Sequence, residues 1–154
     1  MQLTQKETEL LKELKGQEQF CVEKYRKSAE MAIDPQLKNL FSQIADTEQQ
    51  HLNTINQIES GSEPSNSGGS GNESGTQMSF SDKYSKTESQ DKKNDCYLCT
   101  DLLTMEKHAS HLYDTCIFEF AQGGLRNALN TIQKQEQNHG KMIYDYMSTN
   151  GMYA

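Results

Sequence analysis

The chain has 154 residues, 33% of them apolar, and a formal net charge of -7. That length suits one domain with one core, while an apolar share below the usual ~45–50% points to a strongly polar segment within it. Acids and bases are interspersed, leaving no basic stripe for nucleic acid, and no apolar run reaches the ~18 residues of a membrane span.

The opening stretch, MQLTQKETELLKELKG, is polar and helical in pattern, so no signal peptide is expected and synthesis is cytoplasmic. The four cysteines of such a chain read as free thiols. Thr4, with Glu7 three residues on, forms a capping box for a first helix that runs to about Ile33. Asp34 and Pro35 cap and start a second helix, which ends near Gly61. Residues 60–93 are rich in Ser, Gly, Asn and charge, the composition of a flexible, protease-sensitive linker. Within it only MSFSDKY holds apolar residues suited to docking on the rest of the chain. A third helix runs from near Asp95 to just before Gly123 and Gly124. The fourth runs from about Leu125 to Asn150 and Gly151, where glycine serves as the stop. The expected fold is all-α: a four-helix bundle forming one domain over 1–154, from a hairpin at 1–59, the linker at 60–93 and a hairpin at 94–154.

The two hairpins repeat each other at a fixed offset, 106 − 18 = 88. Glu18 falls on Glu106, Tyr25 on Tyr113, Leu37 on Leu125 and Asn39 on Asn127. Ile44 falls on Ile132, Glu48 on Glu136, His51 on His139 and Ile55 on Ile143. Because scarce histidines are among the matches, the pattern reads as a duplicated helical hairpin.

Each helix carries an apolar stripe at three- and four-residue steps, and every stripe is broken by a carboxylate near its middle. Glu18 follows Leu10 and Leu14; Glu106 follows Cys99 and Leu102. Helices two and four break at Glu48-Gln49-Gln50-His51 and at Glu136-Gln137-Asn138-His139, where the histidine lies one turn on along the same face. From Glu18 to the Asp34 turn is 16 residues and from the turn to Glu48 is 14, about 24 Å and 21 Å at 1.5 Å per residue. The four glutamates and two histidines therefore meet in one layer of the bundle. Unpaired buried charge costs several kcal/mol, so the layer is either a hydrogen-bonded network that fixes register or a metal site. Carboxylate oxygens suit hard divalent cations, and imidazole suits iron.

Other polar positions carry less. His108 and His111 lie off the Glu106 stripe and face solvent. Tyr25 and Tyr113 each follow a layer glutamate by seven residues on its face, as core residues or, alternatively, as hydrogen-bond partners of the ligands or radical sinks. Cys21 and Cys116 read as small core residues. Cys96-x-x-Cys99, near the expected start of helix three, is placed for a lowered thiol pKa and a redox or cross-linking role.

One Glu from each of two helices plus Glu-x-x-His from each of the other two resembles the ferritin-like superfamily, including rubrerythrin and bacterioferritin. The resemblance implies that Glu18, Glu48, His51, Glu106, Glu136 and His139 bind two iron, or alternatively manganese, ions about 3.5–4 Å apart. Glu48 and Glu136 would bridge, and helices two and three would run parallel, with the linker crossing the bundle's length. It also implies ferroxidase or peroxide-consuming activity. Ala109 and Cys21, one turn from Glu106 and Glu18, would leave room for a small oxidant such as peroxide or dioxygen. A second likeness covers the second hairpin: the "DLL…EKH…Y" opening, an arginine after the turn and the Gly151-Met152-Tyr153 ending resemble the coat F domain of spore coat proteins. Members usually end Gly-Trp-Tyr. This likeness implies a bacterial protein made in the mother cell and deposited in the spore coat, with other coat proteins or further copies of itself as partners. Two roles follow: a structural, protective coat protein on a ferritin-like bundle, or a rubrerythrin-like di-metal oxidase or peroxidase without a spore role.

Overall fold

The computed structural model describes residues 2–64 and 78–153. Four helices account for most of them: α1 (Gln5–Met31), α2 (Pro35–Glu59), α3 (Gln90–Glu119) and α4 (Gly123–Thr149). The Thr4 capping box forms as expected, with Glu7 N–H donating to Thr4 Oγ1 at 3.1 Å and Thr4 N–H to Glu7 Oε1 at 3.2 Å. Asp34 caps α2 by accepting from Gln36 N–H at 3.0 Å, with Pro35 at the first helical position. Both α2 and α4 end on a positive-φ glycine, Gly61 (87°) and Gly151 (65°). The paired bonds Ser62 N–H to Gln57 O and Gly61 N–H to Ile58 O close α2; Met152 N–H to Met147 O and Gly151 N–H to Ser148 O close α4.

The third helix begins five residues earlier than expected, at Gln90, because Ser89 caps it by accepting from Lys92 N–H at 3.1 Å. Residues 90–93, read as linker, thus belong to α3. Of the remaining linker, 65–77 lie outside the described residues. Residues 78–89 dock across one end of the bundle. Met78 and Phe80 pack on the core, and Tyr84 is buried. Asn150 Oδ1 accepts from Lys83 N–H and Tyr84 N–H at 2.8 and 3.2 Å. Ser81 N–H donates to Gln36 Oε1 at 2.8 Å.

At the same end Asp95 ties α3 to the α1–α2 turn, accepting from Ile33 N–H at 2.8 Å, Asp34 N–H at 2.9 Å and Tyr84 Oη at 2.8 Å. The start of α3 therefore lies beside the start of α2, so these two helices run parallel, with the end of α2 and the start of α3 at opposite ends of the bundle. The core is two apolar clusters, one around Tyr25, Phe41, Leu102 and Tyr146, the other around Leu14, Ile55, Tyr113 and Leu129. Between them lies the polar layer.

Candidate metal centre

All six sequence-selected residues meet in that layer, and none is more than 3% exposed. Each arrives by helical periodicity: Leu14, Ile44, Leu102 and Ile132 lie four residues before the glutamates, and Ile55 and Ile143 four after the histidines, all buried, which turns the six side chains inward. Donor atoms of Glu18, Glu48, His51 and Glu136 lie within 4.8 Å of one another, and so do those of Glu48, Glu106, Glu136 and His139. Glu48 and Glu136 belong to both sets. The imidazoles stack at 5.9 Å, and both turn Nδ1 inward. His51 Nδ1 lies 2.9 Å from Glu136 Oε1 and 3.4 Å from Glu48 Oε2. His139 Nδ1 lies 2.9 Å from Glu48 Oε1 and 3.2 Å from Glu106 Oε1.

The tyrosines bond crosswise. Tyr25 on α1 donates to Glu106 Oε1 on α3, and Tyr113 on α3 donates to Glu18 Oε1 on α1, each at 2.5 Å. Both tyrosines are fully buried members of the core clusters and also hydrogen-bond the layer, so the two roles hold together. Gln135, which no sequence argument singled out, brings its Oε1 to His51 Nε2 at 2.5 Å and fixes that ring's orientation.

Burial opposes charge throughout the layer, and the neighbours decide which groups keep it. Glu18 and Glu106 are pushed well above the ordinary carboxyl range, first by burial and then by the facing carboxylates Glu48 and Glu136 respectively. Burial also acts against ionised Glu48 and Glu136. There the nearby acid protons and imidazoles outweigh it, holding Glu48 below its ordinary value and Glu136 well below. Burial disfavours imidazolium too, yet contact with Glu136 and Glu48 lifts His51 to about 9, and Glu106, Glu136 and Glu48 lift His139 well above its ordinary value. The shifts thus favour protons on the two imidazoles and on Glu18 and Glu106, and leave the negative charge to Glu48 and Glu136. Apart from those shared acid protons and the imidazoles, Glu18 Oε2, both oxygens of Glu48, Glu106 Oε2 and Glu136 Oε2 find no hydrogen-bond donor among the described residues. Orphaned buried oxygens are costly. Their number and convergence, beside two inward Nδ1 atoms, fit a pair of hard divalent ions.

The remaining sequence readings divide. His108 and His111 are exposed, as expected. Cys21 and Cys116 are buried in the core, and all four cysteines are free thiols. The Cys96–Cys99 reading needs correction: with α3 starting at Gln90, neither residue sits at a helix start. Burial, reinforced by Asp95, pushes the Cys99 thiol up rather than down. Among the described residues no helix is long and apolar enough to cross a membrane.

Residues 94–154 match the family model of the Coat F domain. The match bears out the coat F likeness of the second hairpin, and it includes Glu106, Glu136 and His139. No curated protein and no solved structure matches the chain.

Proposed function

We propose that the chain is a spore coat protein of the coat F type whose ferritin-like bundle holds a carboxylate-bridged pair of iron or manganese ions. Its role is structural and protective. The Coat F match over residues 94–154 supports the coat assignment. The metal reading is carried by one observation: two four-donor sets sharing Glu48 and Glu136, with five orphaned carboxylate oxygens between them.

Each side chain then has a task. His51 and His139 would each help to hold one ion, with Gln135 Oε1 keeping the outer nitrogen of His51 protonated. Glu48 and Glu136, common to both donor sets, would serve both ions. Tyr113 and Tyr25 occupy Oε1 of Glu18 and Glu106, leaving the orphaned Oε2 of each as a terminal ligand. A ferrous pair held by these residues would supply electrons for the reduction of peroxide or dioxygen, the protective chemistry a coat can use. The four glutamates, once ionised, match the four positive charges of the pair, so the filled layer is near neutral and its burial tolerable.

Metal analysis of protein loaded with iron or manganese should find two ions per chain. Loading at 100 times Kd should stabilise the fold by about 2.7 kcal/mol per site. Replacing His51 by Ala should lose one ion and weaken the other. Wild-type protein that takes up neither metal and gains no thermal stability would show the layer to be a register-fixing network instead. A fluorescent fusion in sporulating cells should gather at the spore periphery; diffuse mother-cell fluorescence would remove the coat assignment.

A further inference from the structure

The two halves of the layer are not equally enclosed. A cleft of about 450 Å³ opens between α3 and α4, and Glu106 and Glu136 form part of its lining, with Ser110, Gly140, Lys107 and Tyr144 above them. At about 30 Å³ per water, such a space holds on the order of ten waters. The duplication allows a direct comparison with the α1–α2 seam. At the offset of 88, Ser110 corresponds to Val22 and Gly140 to Leu52. Val22 and Leu52 are buried apolar residues, 6% and 9% exposed, whereas Ser110 and Gly140 are half-buried. A Cβ at Gly140 would meet only Leu103 Cδ1, at 3.5 Å, which is ordinary contact. The missing side chain is therefore not forced by crowding, and its absence leaves the seam open. Cover differs in the same sense. Gln135 lies over His51 Nε2, while its counterpart at the offset, Thr47, turns its hydroxyl to Gln43 O.

We propose that the α3–α4 cleft is the entrance to the layer. Divalent ions and solutes of similar size reach it from the Glu106 side, and the α1–α2 seam is a closed wall. Only the identity of the solute rests on the metal reading above; the one-sidedness is a property of the chain. The Glu106–His139 position is then the one that fills first and exchanges fastest, and the Glu18–His51 position is reached through it.

Two readouts test this on the full-length, metal-free protein. The first follows cobalt(II) uptake by visible absorbance. Gly140→Leu, which copies Leu52 into the cleft, should slow loading by an order of magnitude without changing the final two-ion stoichiometry. Ser110→Val, the copy of Val22, should slow it in the same direction and serves if the leucine variant does not fold. Gly16→Leu places the same side chain in open space on α1 and should leave the rate unchanged. The second readout needs no metal. A small water-soluble carbodiimide with an amine nucleophile, mapped by peptide mass spectrometry, should label Glu106 faster than Glu18, and Gly140→Leu should erase the difference. If wild-type protein binds no cobalt, the metal reading fails and the labelling ratio still decides the entrance. Unchanged loading in both cleft variants, or equal labelling of Glu18 and Glu106 in the wild type, overturns the proposal.

Discussion

Filling the layer with metal must expel protons, and the groups that lose them can be named. Both imidazoles are held toward the protonated form, His51 with a pKa of about 9 and His139 well above its ordinary value. Imidazolium cannot ligate, so these two alone release two protons per chain. Glu18 and Glu106, both raised and held in the protonated form by their facing carboxylates, give up protons as well and take the count toward four. Each proton displaced makes binding about 1.36 kcal/mol weaker per pH unit lowered. Two protons give about 2.7 kcal/mol per unit for the pair of ions, and four about 5.4 kcal/mol. The metal-free protein has the opposite dependence at His51. A raised imidazole pKa contributes stability that is complete below about 6.5 and is lost as pH rises through about 9. The stabilisation conferred by metal therefore widens from pH 6.5 toward 9. Calorimetric titration with manganese(II) in two buffers of unlike ionisation enthalpy counts the protons directly. Binding of two ions at pH 7 with no proton release would refute the charge assignment of the layer.

Two further outcomes follow from buried hydrogen bonds. Tyr25→Phe leaves Glu106 Oε1 without its donor and should cost about 1–3 kcal/mol, read as a fall of several degrees in the thermal midpoint. Tyr113→Phe should match it, and two unshifted midpoints would show the crosswise bonds to be idle. Asn150→Ala removes the acceptor shared by Lys83 N–H and Tyr84 N–H and should cost a similar ~1–3 kcal/mol. Trypsin should then cut at Lys83 or Lys86 well before it cuts the helices, and an unaltered cleavage rate would contradict the docking role of Asn150.

Much of this architecture was legible in the sequence because periodicity reports which face a residue takes. The six layer residues sit at core positions where a polar side chain is conspicuous, and the offset of 88 pairs them. What periodicity does not report is the partner across the interface. It places Tyr25 on the face of Glu18, but it does not say that the hydroxyl reaches Glu106 instead. The start of α3 was missed because Gln90, Asp91, Lys92 and Lys93 have a linker's composition, yet Ser89 caps them and Lys92 is buried. Asp95 marked the expected start of the third helix because it directly precedes an apolar run. Its carboxylate instead serves the backbone of a turn 61 or 62 positions away. Gln135 and Asn150 left no local signal, since surface-type amides are common on helices and their role lies in distant partners. Gly140 did leave one: at the offset of 88 it stands where the other copy has the core residue Leu52.

The crosswise tyrosines carry a consequence for how the two halves belong together. A single hairpin brings two glutamates, one histidine and one tyrosine, but the glutamate its tyrosine serves is always on the other hairpin. Neither half closes on itself, and each supplies what its counterpart lacks. That is the exchange relation of a twofold dimer, written here into one polypeptide. The connecting segment then acts as a tether that sets the effective concentration of one half-site about the other. Two copies of a single hairpin, facing each other about a dyad, satisfy the same bonding scheme without it.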